Sequence, residues 1–483
     1  MSRSLVSLKD VIYWIFFVII IVLIGAFFVV PFIKERNLVN FFDKIQNSED
    51  LSESIVAVQV KYEGEKDVLV DYNGRESVHP GSNFKLFTAA ASLHYLGPDF
   101  VFKTRLYIKK QGKKNDIFLI GGGDPSFKQN DFRGFVEKIK STGNIVGDIY
   151  YDDRYFEGEK FGPDWSDEWK DQYFAVPITG LQINDNLLDI RGGQIGDTGK
   201  FGIETKPLEN YSKIIDNRVY YDNGDELKQP VTATMDDAGV IVLHGDTMEN
   251  LPFRTSTTVK DPSLMAALVL KQELLKENLV SGNSKILSYK GDEVKDKLIL
   301  IYEHNSQLLA DLILQMLKFS KNNYAETLVR TLGKEMNGIG SQQEGVLVLK
   351  DFFDEIEIEN GEVSAFDGSG LSPSTRVTSN AILQLFDYVD SQSWSDIFWN
   401  ALPESKKDGT LKYRFENAGL THQVIGKTGT HEFASSLSGK ILREDGNILF
   451  SVHIYNHPFS TEESVMYVRP IIDKIVAALD RQF

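Results

Sequence analysis

The sequence predicts an α+β fold, with mixed strand and helix patterns at both ends, a β-rich middle and one transmembrane helix before it. Three observations predict it. Strand-like and helix-like patterns mix at both ends of the 483-residue chain. Residues 190–255 hold many glycines and only short strand-like runs, which reads as a small all-β unit. Val11–Ile33 is an unbroken uncharged stretch. At about 1.5 Å per residue it is long enough to cross a hydrocarbon core of about 30 Å.

The elements follow in order. The exit from the apolar stretch, Phe27-Phe28-Val29-Val30-Pro31-Phe32, has no small-residue cleavage pattern, so an uncleaved anchor is expected over a cleaved signal peptide. Arg3 and Lys9 on one side balance Lys34 and Arg36 on the other, which leaves its orientation open. Residues 40–52 are polar and read as a short helix or stalk. Ile55–Tyr62 and Asp67–Tyr72 alternate around Glu63-Gly64-Glu65 as a hairpin. Ser82–Leu96 has helical apolar spacing and stops at Gly97-Pro98. Strands are expected at 104–110, 116–120 and 145–151, with a helix near 131–140. Helices are expected at 263–277, 308–317, 325–332 and 344–356. Ser436–Leu442 and Asn447–Tyr455 form a hairpin around Asp445-Gly446, and a helix over 461–479 closes the chain.

Composition removes several function classes. Lys and Arg total 52 against 69 Asp and Glu, a net charge of -17. A nucleic-acid partner needs a basic footprint, and so does an anionic lipid surface. With no cysteine, thiol catalysis, disulfides and thiolate metal sites are excluded.

Three short motifs carry chemistry. In Ser82-Asn83-Phe84-Lys85 the hydroxyl and amine fall one helical turn apart. Serine is a poor nucleophile until a base takes its proton, and lysine is such a base only if its pKa is lowered. In Ser320-Lys321-Asn322, between two helices, Ser320 can relay a proton and Asn322 can hold a substrate backbone and the Lys85 amine. In Lys427-Thr428-Gly429-Thr430, on an expected edge strand, Lys427 and Thr428 offer charge and hydroxyl to a carboxylate. Gly429 there lets a substrate backbone approach closely. As an edge-strand residue at a cleft, Lys427 is expected to matter little for folding. Gly426-Lys427-Thr428 also resembles the end of a phosphate loop, but that motif needs glycine where Thr421 stands.

The three motifs in this order resemble those of the type-4, or class C, penicillin-binding proteins, the D-alanyl-D-alanine carboxypeptidase/endopeptidases of peptidase family S13. The resemblance runs over roughly residues 50–460. It extends to Gly121-Gly122-Gly123-Asp124-Pro125, to Gly147-Asp148 with Asp152-Asp153, to Asp367–Ser372, to Asp408–Leu411 and to Ser436–Gly439. The gap from Ser82 to Ser320 is far longer than in simple β-lactamases, as in this family. There it holds two extra domains within the peptidase domain.

The resemblance implies a serine β-lactamase/DD-peptidase-like transpeptidase domain over 37–100 and 290–483, an antiparallel sheet flanked by helices and interrupted by a large nested β-rich insertion. It implies an inserted domain over 101–189 and 256–289, a small all-β domain nested within it over 190–255, and 1–36 as cytoplasmic tip and anchor. It further implies acyl transfer from peptidoglycan stem peptides ending in D-Ala-D-Ala, with Ser82 as nucleophile and Lys85 as base. Ser320 passes a proton to the leaving group, Asn322 orients, and Lys427 and Thr428 take the terminal carboxylate. The backbone N–H groups of Ser82 and Thr430 form the oxyanion hole. No metal or organic cofactor is implied. β-Lactams are expected to bind covalently, and the enzyme is expected outside the membrane that its anchor spans. This sequence departs from the family pattern at Lys321, where Asp is usual. It departs again at Pro373, where a basic residue is frequent (Arg376 lies three further on), and at His431, where an apolar residue is commoner.

Rival readings are weaker. His453 and His457, four apart, lie on a strand running into a loop and make a poor metal pair. His94 and His304 read as surface or satisfied core histidines, and no G-x-S-x-G elbow supports a Ser-His-Asp triad. Asp152-Asp153 and the acids of 351–359 read as solvated faces, with a place in a substrate cleft as the alternative for the first pair. A β-lactamase with fast deacylation and a non-catalytic wall-binding scaffold are the alternative functions.

Overall fold

A computed structural model describes residues 35–194, 201–209, 211, 215–221, 230–236, 239–247, 252–291 and 298–483. The expected anchor at 11–33 lies outside these. Among the described residues no helix is long and apolar enough to cross a membrane. The described residues divide into two compact units: one takes those up to Pro80 with Val377–Asp387 and Glu404–Phe483, the other those from Gly81 to Arg376 with Tyr388–Pro403.

The first unit is built on a five-stranded sheet in the order Gln423–His431, Ala434–Leu442, Ile448–Tyr455, Ile55–Tyr62, Val68–Tyr72, with every neighbouring pair antiparallel. Strand alternation sorts its side chains. Val56, Val58 and Val60 stand opposite Ile454, Val452 and Phe450 on one face. That face is closed by the helix at 35–46 and the C-terminal helix Thr461–Gln482, which bring Leu38, Phe42, Val468, Ile472, Ile475 and Leu479 into the same apolar cluster. The opposite face carries a polar row, Lys427, Ser438, Ser451 and Gln59 in register, all buried. The strand with the third motif lies at the sheet edge, as expected.

The helix at 35–46 is not a stalk, because Phe42 is fully buried in the core. Phe42→Ala is therefore expected to cost about 3–5 kcal/mol of stability, read as a lowered Tm. A chain starting at residue 35 should melt like the parent, whereas one starting at residue 47 should not.

The second unit holds another five-stranded sheet, mixed in direction, in the order Ile286–Ser288, Ile145–Asp152, Lys114–Ile120, Lys103–Gln111, Ile299–Asn305. The helices Phe132–Ser141 and Pro262–Lys276 bury Phe132, Phe135, Ile139, Met265 and Val269 in the core around it. Between residues 187 and 258 the described strands form two three-stranded sheets, the β-rich middle that the glycine content announces. The unit also holds the helices Lys85–Leu96, Leu309–Phe319, Asn322–Asn337 and Gln342–Glu355, and the short helix Ser395–Asn400. The first packs on the third and is buried from Lys85 through Leu93. It starts three residues later than the apolar spacing suggests, because Gly81–Phe84 winds as a 3-10 turn.

Candidate active site

That late start is what aligns the first motif. In a 3-10 turn the side chains at i and i+3 eclipse, so Ser82 and Lys85 project together from the entry to the helix. Gly370 closes over the same turn. It has φ of 73°, and a Cβ there would lie 2.1 Å from the Gly81 carbonyl oxygen, so only glycine fits.

Lys85 is fully buried. Its Nζ lies 2.8 Å from Ser82 Oγ, 2.6 Å from Asn322 Oδ1 and 2.8 Å from the Ser369 carbonyl oxygen. Asn322 is oriented by its other amide atom, since Nδ2 donates to the Phe174 carbonyl at 2.8 Å. Asn322 Oδ1 and Ser369 O therefore only accept. A neutral amine has two N–H donors and one lone pair, and two acceptors use both donors. The lone pair is left for the Ser82 hydroxyl proton. The same three contacts serve the ammonium after the proton has moved. Burial pulls the Lys85 pKa from 10.5 down to about 7, against the opposing attraction of Asp367 and Glu326. The amine is thus substantially neutral at physiological pH, which a general base requires.

Beneath it lies a buried frame that sequence reading missed. Asn322, Glu326 and Arg330 recur every four residues, so they share one helix face; this spacing is the signal that could have found them. Glu326 Oε1 accepts from the Gly368 and Ser369 backbone N–H groups at 3.1 and 2.8 Å. Asp367 accepts from the N–H groups of Gly370, Leu371 and Ser372 at 2.9, 2.9 and 2.6 Å, and from the Trp165 indole at 3.1 Å. Two carboxyl groups thus fix the segment whose Ser369 carbonyl meets Lys85. Arg330 donates to Gln342 Oε1 at 2.6 Å and to the Glu159 carbonyl at 3.1 Å.

Ser320 caps the Leu309–Phe319 helix in the left-handed region at φ 58°, two residues before Asn322. Lys321 turns away from the lysine–serine pair to Asp185, which it shares with Lys128 at 3.1 and 2.6 Å. Burial pushes the Asp185 carboxyl up, but the two ammonium groups outweigh it and hold it below the usual range. The Lys321 departure is therefore accommodated by an ion pair.

In the other unit, Lys427, Thr428, Gly429 and Thr430 pair with Ser438, Leu437, Ser436 and Ser435. Lys427 is fully buried and donates to the Thr428 carbonyl at 2.8 Å, which corrects the expectation of a side chain of little weight in folding. Thr428 Oγ1 donates to Thr410 Oγ1 at 2.9 Å, and Arg469 Nη2 donates to Thr430 Oγ1 at 2.9 Å. Arg469 comes from the C-terminal helix and has no sequence signal of its own. Burial first, and the neighbouring Arg414, pull its guanidinium down to about 10.

The remaining candidates resolve as structure. Burial holds His453 down at about 3, and its Nε2 lies 3.1 Å from Ser451 Oγ. His457 Nε2 lies 3.3 Å from Ser464 Oγ. Among the described residues no group of three metal-ligating side chains gathers. Asp152 is not a solvated acid but is buried against Arg154 at 2.8 Å, and Asp153 accepts from Ser263 Oγ at 2.9 Å.

A serine beside a buried, largely neutral lysine, oriented by an asparagine, defines a serine hydrolase that works by acyl transfer with an amine base. The D-Ala-D-Ala carboxypeptidase 3 (S13) family profile matches residues 38–479. A D-alanyl-D-alanine carboxypeptidase from Actinomadura sp. is 25% identical over 452 residues, 88% of this chain and 82% of that protein. The crystal structure of penicillin binding protein 4 from Haemophilus influenzae is similar with a TM-score of 0.74 at 23% identity, covering 89% of this chain and 96% of that one. A second structure of that protein, complexed with a β-lactam, gives 0.72 at 22%, covering 91% and 97%. The chain belongs to the D-Ala-D-Ala carboxypeptidase 3 (S13) family and is a serine-type D-Ala-D-Ala carboxypeptidase.

Proposed function

We propose that Ser82 is the nucleophile of a DD-carboxypeptidase, and DD-endopeptidase, acting on peptidoglycan stem peptides that end in D-Ala-D-Ala. The observation that carries this reading is the set of three contacts at Lys85 Nζ, which directs its lone pair to Ser82. Lys85 takes the hydroxyl proton as Ser82 Oγ bonds to the carbonyl carbon of the penultimate D-Ala. The oxyanion is held by the backbone N–H groups of Ser82 and Thr430. The C–N bond breaks as Ser320 passes a proton to the departing D-Ala, whose carboxylate is taken by Lys427 and Thr428. Water then hydrolyses the ester at Ser82. A β-lactam presents a similarly placed amide and carboxylate and acylates the same serine, in keeping with the β-lactam complex of the Haemophilus influenzae relative. The nested organisation of the sequence reading, with 37–100 and 290–483 as peptidase domain, belongs to this proposal. So does the anchor at Val11–Ile33, with the catalytic domain outside the membrane.

The test compares D-alanine release from a D-Ala-D-Ala peptide with turnover of a chromogenic β-lactam. Release of D-alanine together with slow, stoichiometric reaction of the β-lactam is expected. Rapid β-lactam turnover without D-alanine release would indicate a β-lactamase, and neither reaction a scaffold.

Lys427→Ala removes charge and donor together. A charge-assisted contact of this kind is worth about 2–4 kcal/mol in the transition state, so kcat/KM should fall roughly 30- to 1,000-fold. Because Lys427 is buried and bonded to the Thr428 carbonyl, the variant should also lose stability, by about 1–3 kcal/mol. Steady-state kinetics and a thermal melt read the two effects separately.

A further inference from the structure

We infer that Glu326 is a positioning residue for the acyl-transfer step, which sets the proton affinity of Lys85 through the Ser369 backbone by carrying or releasing a proton of its own. The inference rests on Lys85 being the base of Ser82.

The geometry gives Glu326 more than a bracing role. Its carboxyl is fully buried, and so is Lys85. One oxygen, Oε1, accepts from the Gly368 and Ser369 N–H groups, and Ser369 in turn offers its carbonyl to Lys85 Nζ. The other oxygen, Oε2, has no hydrogen-bond partner and stands 3.7 Å from the Arg330 guanidinium. The charged and titratable groups facing this pocket are Lys85 from its own helix, Arg330 from the Glu326 helix and Asp367 from the loop. The Gln342–Glu355 helix contributes the neutral Gln342, and the 159–161 segment contributes backbone carbonyls.

Counting charge in this buried pocket, Arg330 and Asp367 cancel. Lys85 and Glu326 are then neutral together when Glu326 keeps a proton and Lys85 does not, or when Lys85 keeps it and Glu326 does not. Either state avoids an uncompensated buried charge, whereas protonating both or neither does not. Burial first, and then the Asp367 charge, pushes the Glu326 carboxyl well above the ordinary carboxylate range, into the region where the buried amine also titrates. One proton is thus divided between the two groups. Losing the carboxylate charge lowers the proton affinity of the amine; restoring it raises that affinity.

Glu326→Gln separates charge from scaffolding. The glutamine carbonyl can still accept from Gly368 and Ser369, but it cannot carry charge. The readout is the rate of covalent labelling by a fluorescent penicillin as a function of pH. In the variant the acid limb is expected to move to lower pH by about one unit, with an unchanged melting profile at neutral pH. A folded variant whose limb coincides with the parent's overturns the inference. Failure of the parent itself to label overturns instead the reading of Ser82 and Lys85, so the two outcomes are distinct. If the glutamine variant does not fold, Glu326→Asp keeps the charge and displaces the infrared carbonyl band of a protonated Glu326. A carboxyl band in the parent that titrates near neutral pH and is displaced in this variant is expected; its absence in the parent overturns the inference.

Discussion

Ser82→Ala should abolish release of D-alanine from a D-Ala-D-Ala peptide, with kcat/KM falling by about 10,000-fold or more. The size follows from the role. Every later step of the proposed cycle acts on the ester at Ser82 Oγ, so removing that atom closes the route and leaves only what binding and electrostatics contribute to direct attack by water. The fold has little reason to change. Ser82 is half-buried in a 3-10 turn, and that turn is held by backbone and by the fit of Gly370 against Gly81. A variant with the parent's melting temperature and no turnover is the expected result, while turnover within tenfold of the parent would remove Ser82 from the chemistry.

Lys85→Met should lower the acylation rate roughly 100- to 10,000-fold, the range a positioned general base supplies. Methionine matches the lysine stem in volume but offers no lone pair to the Ser82 proton. The parent's pH dependence sets the companion expectation. With Lys85 titrating at about 7, acylation should rise as pH increases through 7 and fall away below it, because only the neutral amine accepts a proton. Stability carries the same signature. The folded amine has a depressed proton affinity, so between about pH 7 and 10.5 the unfolded chain binds a proton that the folded one does not. Lys85 therefore makes the parent more stable as pH rises across that window. The methionine variant should lack this part of the slope in denaturant titrations at several pH values, and an unchanged slope would argue that Lys85 is charged in the fold.

How much of this was legible in the sequence depends on the range over which each feature is decided. The hairpin expected at Ile55–Tyr62 and Asp67–Tyr72 and the C-terminal helix follow from local pattern and appear in the structure, the second strand as Val68–Tyr72; the edge strand of Lys427, expected from its motif, appears too. The residues of the three motifs could be named because their chemistry and order are carried by residue identity. What pattern reading could not reach is the environment that makes Lys85 a base. The Ser369 carbonyl, 284 residues away in sequence, and the burial of Glu326 and Arg330 are products of tertiary packing. Polar residues at helical spacing usually face water, so nothing local in the sequence marks Glu326 and Arg330 as buried. Lys427 was misjudged for a related reason. An edge strand is exposed along its free backbone edge, but its side chains point to the two faces of the sheet, and one of those faces buries the whole polar row from Lys427 to Gln59.

The central claim is that Ser82 is the nucleophile, made so by Lys85. Its most direct test is the site of the covalent adduct. The intact protein is treated with penicillin, digested and mapped by mass spectrometry. A single penicilloyl group on the peptide containing Ser82, formed faster above pH 7 than below it, is the predicted result. An adduct on another residue, or none at a penicillin concentration that abolishes D-alanine release, would contradict it.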